Sequence, residues 1–341
     1  MQPIFDAPGV LIGSGDMPYG TEIRLAQLAE SLGYSEFWYT DNKFVRDCFA
    51  GLALVAANTT TIKIGPGVSD PYSRHPAMIG MGLATLDEMS GGRVQGGLGT
   101  GGTDLPAMRI EKTRPVRALR EAIEIIRLLV SGQQVNYTGE LLHLDGSKLG
   151  FTPCRTEIPL FVATHAPLAL NVAGQFADGV LLSHTASRAD LETALAAVRA
   201  GQRKAGRAPD SVRIHIRLEA CIADTDEAAL QRMRPGVARR LISRYPNWDA
   251  EAGLIATDEL REAAAGKDFD AVCAALPEAA VRGSSLVGSP DTILAQMSEV
   301  MGPGVDQITI RPIPVAGQSF DDSMTTFMND VWRRFRTADA R

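Results

Sequence analysis

The stretch from Ile62 to Gly102, IKIGPGVSDPYSRHPAMIGMGLATLDEMSGGRVQGGLGTGG, determines which fold the sequence predicts. It begins with a short β-branched run and a glycine turn, and a helical segment then starts at Pro76. Gly91 and Gly92 end that helix, and a second strand at 93–98 leads into a second glycine turn. Such a strand–helix–strand unit is typical of parallel α/β proteins, and its glycines let backbone N–H groups approach a ligand.

The same alternation of strands and helices continues over most of the chain. Apolar periodicity predicts further strands at 9–13, 36–40, 160–164, 180–183, 212–223 and 305–311. It predicts helices at 21–32, 49–58, 111–131, 168–177, 191–205, 290–301 and 320–335. Ser289 is the expected N-cap of the helix at 290–301, and His75 is interpreted as a cap or a ring-edge contact. Eight strands alternating with helices predict a (β/α)8 TIM barrel, and a doubly wound open sheet is the alternative.

Two segments interrupt this alternation of strands and helices. The segment at 135–144, VNYTGELLHL, predicts a β-hairpin around Thr138 and Gly139. The segment at 224–286 is helical in pattern and has no strand candidate, so it predicts a helical insertion before the last barrel unit. We therefore expect a single TIM-barrel domain over residues 1–341 with these two excursions.

Composition narrows the class of protein. The 341 residues are 45% apolar, which is enough for a large core. The net charge of −6 argues against a surface that binds nucleic acid. The four cysteines lack a CxxC pair, which predicts buried reduced thiols rather than disulfides or a metal site. No basic leader and no apolar window of about 18 residues is present, so we expect a soluble cytoplasmic protein.

A family resemblance is carried by an ordered set of motifs. They are PGVSDPYSRHPA at 66–77, ATLDEMSGGR at 84–93 and GGLGTGG at 96–102, with WYTDN at 38–42, TRPVRALREAIEIIRLLVSG at 113–132, VATHAP at 162–167 and LVGSPDTI at 286–293. The set resembles the bacterial-luciferase superfamily of flavin-dependent oxidoreductases, and most of all its deazaflavin-dependent methylenetetrahydromethanopterin reductases. The resemblance implies a TIM barrel of that type with insertions, and dimers.

The resemblance also implies a reaction. It is hydride transfer between a deazaflavin, coenzyme F420 (8-hydroxy-5-deazaflavin), and a small organic substrate. An FMN-dependent monooxygenase that uses reduced flavin and O2 is the first alternative. A flavin-binding barrel without turnover is the second alternative.

Barrel enzymes place their sites at the carboxyl ends of the strands. There the resemblance implies a bulge with a cis peptide between Gly67 and Val68 that backs the cofactor ring, and a trans strand is the alternative. It further implies that a glycine loop and the VATHAP turn bind the cofactor's side chain. From the residues alone, a plain strand-to-helix turn fits the glycine loop equally well. The expected cofactor-binding residues are Gly67, Val68, Ser69, Thr100, Gly101, Gly102, Thr164, His165 and Ala166.

Three side chains are candidates for handling protons or charge. Asp41 ends an apolar strand, and the resemblance implies a hydrogen bond to the ring or a proton relay, with a helix cap as the alternative. His165 precedes a helix N-terminus, where anions bind well, so we expect it to anchor the cofactor phosphate. His184 ends the next predicted strand, and we expect it to handle the proton.

Three further positions bear on the substrate. Asn42 stands where the family often has histidine, and an amide does not donate a proton at neutral pH. Leu11 stands where the reductases carry an acidic residue, which argues against their pterin substrate. Trp38 or Tyr39, together with the loop at 69–74, is expected to shape the open face of the ring.

Overall fold

The computed structural model describes residues 6–15, 17–102, 104–184, 188–245 and 257–339. The chain divides into two compact units. The first unit comprises Gly9–Leu181 and Ala196–His215. The second comprises Met1–Pro8, Leu182–Leu195 and Ile216–Arg341. The single barrel domain over the whole chain stays a prediction.

The first unit repeats strand and helix, as predicted. Its strands and helices in chain order are β1 (Gly9–Ile12), α1 (Thr21–Leu32), β2 (Glu36–Tyr39), α2 (Cys48–Asn58), β3 (Lys63–Pro66), α3 (Pro76–Ser90), β4 (Gly96–Leu98), α4 (Pro115–Val130), β5 (Val135–Thr138), β6 (His143–Ser147), β7 (Leu160–Ala163) and α5 (Pro167–Phe176). A 3-10 turn spans Leu105–Met108. Three further elements have residues in both units: β8 (Gly179–Ser183), α6 (Arg188–Lys204) and β9 (Arg213–Ile222).

Parallel pairing brings the strand ends of this unit together. Gly9 of β1 lies opposite Glu36 of β2, and Glu36 lies opposite Lys63 of β3. β4 pairs with β7, and β7 pairs with β8, also in parallel. Isolated bridges from Ile64 to Val94 and from Ser69 to Leu98 join β3 to β4. The carboxyl ends of β2, β3 and β4 therefore lie side by side.

Glycine, proline and capping side chains set the helix ends. α1 ends at Gly33, whose φ of 90° is a left-handed conformation that glycine adopts easily. His75 caps α3, since its Nδ1 accepts a hydrogen bond of 3.1 Å from the N–H of Ala77. The helix predicted at 111–131 begins only at Pro115, because proline fits the first turn and Arg114 before it is left-handed (φ 49°).

The hairpin lies on α4. β5 and β6 pair antiparallel, with Tyr137 opposite Leu144. The carboxylate of Glu121 on α4 accepts hydrogen bonds from three consecutive turn N–H groups, at 2.8–3.0 Å. The turn is therefore fixed by a carboxylate on the neighbouring helix.

The second unit is mainly helical. It contains α7 (Asp226–Arg244), α8 (Asp258–Ala265), α9 (Phe269–Ala275), α10 (Glu278–Arg282), β10 (Ser285–Gly288), α11 (Pro290–Val300), β11 (Gln307–Pro312), α12 (Phe320–Thr326), a π-helical turn (Phe327–Trp332) and α13 (Arg333–Asp339). Its helices share a buried core that includes Met233, Leu241 and Val272. Ser289 caps α11 as predicted, accepting from the N–H of Thr292 at 3.3 Å.

Two predictions for this unit need correction. The segment at 224–286 was expected to lack strands, but β10 begins at Ser285 and pairs in parallel with β9, Ser285 opposite Glu219. Four residues are too few to show an alternating pattern. The single terminal helix at 320–335 is instead three consecutive helical pieces, because the middle turn is π-helical.

Candidate active site

A buried serine after β3 holds the carboxylate that follows β2. Ser69 Oγ donates a hydrogen bond of 2.7 Å to Asp41 Oδ2. The N–H of Ser69 donates to the carbonyl of Gly97 (3.0 Å), and its carbonyl accepts from the N–H of Gly99 (2.8 Å). The Asp41 side chain is only 6% exposed. Two of the predicted site residues, Asp41 and Ser69, are thus in contact and fixed against β4.

Asp41 is not the cap of the helix that follows it. α2 is capped by Asp47, whose side chain accepts a hydrogen bond of 2.9 Å from the N–H of Ala50. The helix-cap alternative for Asp41 is therefore wrong for α2. The carboxylate also acts on its surroundings: burial raises the pKa of the Cys48 thiol, and the charge of Asp41 raises it further.

Sequence analysis missed two charged residues beside this pair. Lys43 Nζ lies 3.4 Å from Asp41 Oδ1 and 3.2 Å from Asp70 Oδ2. Asp70 also accepts hydrogen bonds from the N–H and the hydroxyl of Ser73, at 2.8 and 2.6 Å. Burial raises the pKa of Asp70, but the bonds from Ser73 and the ammonium of Lys43 outweigh it, so the net pKa lies below its usual value. The signal for Asp70 was present, since Asp followed directly by Pro, with Ser three residues after the Asp, is a turn pattern.

Val68 stands on an apolar wall. Buried Leu11, Trp38, Phe161 and Leu181 form the wall, with Val68 and Ala163 partly buried against it. The edge of the Trp38 ring meets Phe161 with centroids 5.7 Å apart. Val68 therefore presents a partly exposed apolar surface above a packed aromatic layer.

The glycines around Val68 make room for it. A Cβ on Gly97 would lie 2.8 Å from one Val68 methyl group, and a Cβ on Gly99 would lie 2.7 Å from the other. The peptide bond between Gly67 and Val68 is cis, the conformation that the resemblance implies. The N–H of Gly67 donates to the carbonyl of Tyr39 at 2.7 Å.

The aromatic pair in β2 does not form an open face. Trp38 and Tyr39 are each 1% exposed, so the expectation that they face a ligand directly is wrong. Trp38 lies in the wall, because both faces of a parallel strand are covered. Leu11 belongs to the same wall, so β1 offers no acidic side chain there. Asn42 is exposed.

The glycine loop after β4 leaves an open surface. Gly101 has a φ of 80°, and a Cβ there would lie 2.6 Å from Leu105. A side chain at this position would therefore be strained and would clash. Among the described residues other than its chain neighbours, none has an atom within 4 Å of where a Cβ on Gly102 would be. Thr100 is half-buried beside it.

The VATHAP turn ends in an uncapped helix. Ala166 is the N-cap of α5 and supplies no side-chain hydrogen bond to the first turn. Its own N–H donates to Thr164 Oγ1 at 3.2 Å. His165 and Ala166 are exposed. An uncapped helix N-terminus offers backbone N–H groups to an anion.

His184 belongs to the second unit. It is left-handed, with a φ of 60°, and its N–H donates to the carbonyl of Arg217 at 3.1 Å. In the same unit Glu219 pairs with Arg240 (3.3 Å) and Arg311 (3.2 Å). That His165 and His184 serve one site stays a prediction.

Cysteine and metal chemistry can be assessed for the described residues. The four cysteines are free, but Cys154 is exposed, which corrects the expectation that all four are buried. Within the described ranges, no three His, Cys, Asp or Glu residues are grouped so as to hold a metal ion. In those same ranges no helix is both long and apolar enough to cross a membrane.

The sequence profile described as Luciferase-like monooxygenase matches residues 4–307. The chain belongs to this luciferase-like family. It is 31% identical to the 5,10-methylenetetrahydromethanopterin reductase of Archaeoglobus fulgidus, over 86% of this chain and 90% of that protein. It is 28% identical to the F420-dependent glucose-6-phosphate dehydrogenase of Nocardia farcinica, over 84% and 83%.

The luciferase-like fold is shared with solved structures. The coenzyme F420 dependent tetrahydromethanopterin reductase from Methanopyrus kandleri superposes with a TM-score of 0.86 at 24% identity, covering 97% of this chain and all of that one. This likeness confirms the predicted (β/α)8 TIM barrel of the bacterial-luciferase type and excludes the open sheet. The strand-end residues described above therefore lie where barrel enzymes carry their sites.

Proposed function

We propose that this luciferase-like protein is an oxidoreductase that transfers hydride between coenzyme F420 and a small organic substrate. One observation carries the proposal: the relatives are named for different substrates, a methanopterin and a sugar phosphate, but coenzyme F420 appears both in the name of the dehydrogenase and in that of the solved methanopterin reductase. The cofactor is the shared property, so it is the part that transfers to this chain. The substrate differs between the relatives, so it does not transfer to this chain.

The residues at the strand ends fit such a cofactor. A deazaflavin has a flat apolar ring and a polar, anionic side chain. Val68 and Ala163 offer partly exposed apolar surface to one face of the ring. The open surface beside Gly102 and the uncapped start of α5 suit the side chain, because both offer backbone N–H groups. We assign Thr164, His165 and Ala166 to the phosphate.

Bound there, the cofactor supplies a ring that accepts or donates hydride. The chain's own residues hold that ring and manage the protons. The wall beneath Val68 keeps water from one face. Ser69 fixes Asp41 by donating to Oδ2, so that Asp41 faces the ring or substrate in one orientation. His184 is proposed as a second proton handler.

The substrate is proposed to differ from the pterin of the reductases. Leu11 is buried in the wall where those enzymes carry an acid by resemblance, and Asn42 cannot donate a proton. The chain must therefore handle the substrate's proton from other side chains, foremost Asp41. A homodimer is proposed as the working form, since two-fold dimers are the commonest assemblies.

Fluorescence titration of the purified protein with coenzyme F420 and with FMN tests the proposal. We expect F420 to bind at least tenfold more tightly than FMN, and the bound F420 to exchange hydride with a substrate panel. Tighter binding of FMN would instead favour a monooxygenase, which the description of the family profile supports. Tight binding without turnover on any substrate would favour the non-catalytic barrel.

A further inference from the structure

Lys43 is surrounded by acceptors from two strand-end loops. Its ammonium donates to the carbonyl of Asp41 at 3.0 Å. It also lies 3.4 Å from the carboxylate of Asp41 and 3.2 Å from that of Asp70. A lysine ammonium has three N–H donors, and three acceptors face it here. The side chain is 15% exposed, so Lys43 is directed at the protein and not at solvent.

We propose that Lys43 is a positioning residue that joins the loop after β2 to the loop after β3 and holds Asp41 in one orientation. The role assigned to Asp41 rests on the proposed function. The geometry of the contact does not, because both carboxylates are almost completely buried in the protein alone, at 6% and 4% exposed.

Charge explains why the lysine matters. Asp41 and Asp70 lie on either side of one ammonium, and two buried carboxylates without a cation between them repel each other. The other polar groups near Asp41 are the hydroxyl of Ser69 and the buried thiol of Cys48. Asp47 and Arg74, which pair with each other at 2.7 Å, also influence Cys48. Among the described residues, Lys43 is thus the cation in direct contact with Asp41.

The direction in which the pH dependence of kcat/KM shifts distinguishes this positioning role of Lys43 from a merely structural role. Lys43→Gln removes the positive charge beside these carboxylates, so the acid limb of kcat/KM should move to higher pH. Asp70→Asn removes a negative charge near Asp41 and should move the same acid limb to lower pH. Lys43→Arg keeps the charge and should restore the wild-type limb.

The experiment measures kcat/KM against pH for these three variants and for Lys204→Met, a charge loss at the end of α6 outside the site. We expect Lys43→Gln to lose about tenfold or more in kcat/KM at neutral pH, the loss typical of a charge-assisted hydrogen bond. Lys204→Met should behave as the wild type. Acid limbs that coincide in wild type and Lys43→Gln, or that move the same way in Lys43→Gln and Asp70→Asn, would overturn the proposal.

A second readout needs no activity. The lowered pKa of Asp70 is partly due to Lys43. Because the folded pKa of Asp70 lies below its unfolded value of about 3.8, this stabilisation is lost only as pH falls below about 4. Unfolding midpoints between about pH 5 and 2 should therefore show a smaller acid-side loss for Lys43→Gln than for wild type or Lys204→Met. If F420 binding and turnover fail in the wild type, the proposed function fails alone, and this readout still decides the role of Lys43. Identical pH dependence in all three proteins would refute it.

Discussion

The indole Nε1 of Trp38 donates a hydrogen bond of 2.9 Å to Oε2 of Glu36, a carboxylate that is completely buried. Nδ1 of His215, also buried, lies 3.5 Å from the same oxygen. Burial raises the pKa of Glu36, but the nearby His215, Lys63 and Trp38 lower it more, so its net pKa lies below the usual value. The ionised carboxylate of Glu36 therefore fixes Trp38, which is part of the wall beneath Val68.

Glu36→Gln should weaken this support. The change turns the charged acceptor of the Trp38 hydrogen bond into a neutral amide oxygen, so the free energy of unfolding should fall by about 1 kcal/mol or more. Urea unfolding of the variant measures it. Glu299→Gln, an exposed position, is the matched control and should stay within about 0.5 kcal/mol of wild type. Equal stability of the two variants would contradict a supporting role for Glu36.

Gly99→Ala should harm both the fold and the cofactor site. The new methyl group would lie 2.7 Å from Val68 and push it from its place. We expect a loss of about 1–3 kcal/mol in stability from overpacking, and at least tenfold weaker F420 binding. Gly150→Ala is the control, since no described residue other than its chain neighbours has an atom within 4 Å of its Cβ position. Undiminished F420 affinity in Gly99→Ala would show that Val68 does not touch the ring.

Asp41→Ala should lower turnover far more than stability. Proton transfer by a positioned side chain contributes about 100-fold or more, and that contribution would be lost. Asp268→Ala makes the same chemical change at the N-cap of α9, where the side chain accepts from the N–H of Ala271. It should cost about 1 kcal/mol in stability and leave kcat unchanged. A large fall in melting temperature for Asp41→Ala, with normal kcat in the folded fraction, would make Asp41 structural.

Glu30 should make stability depend on pH. Burial raises the pKa of Glu30, but hydrogen bonds from the N–H groups of Thr61, Ile62 and Thr60 lower it to about 2. A lowered folded pKa means that this stabilisation is complete above the unfolded value and is lost as pH falls from about 4.5 to 2. Because the carboxylate is largely solvated, we expect only about 1 kcal/mol. Unfolding of wild type and Glu30→Gln at pH 7 and pH 2.5 should show a difference that is much larger at pH 7 than at pH 2.5.

Sequence reasoning succeeded where the signal is local. The bounds of α1 were predicted correctly because Gly33 must be left-handed, and the start of α11 because Ser289 and Pro290 form a cap. It failed where contacts between residues far apart in the sequence determine the structure. Nothing near Lys43 in the sequence indicates a pairing with Asp70, and the burial of Trp38 depends on Phe161. The four residues of β10 are too short for any periodic signal.

The most direct test of the central claim is the affinity of coenzyme F420 for the wild type and for Val68→Asp, measured by fluorescence titration with unfolding curves for both. Val68 is only partly buried, so the variant should fold. The introduced carboxylate would lose its hydration on contact with the apolar ring, and this loss disfavours binding. The account predicts that the wild type binds F420 and that Val68→Asp loses at least tenfold in affinity with its fold intact. Equal affinity in the two folded proteins would contradict it.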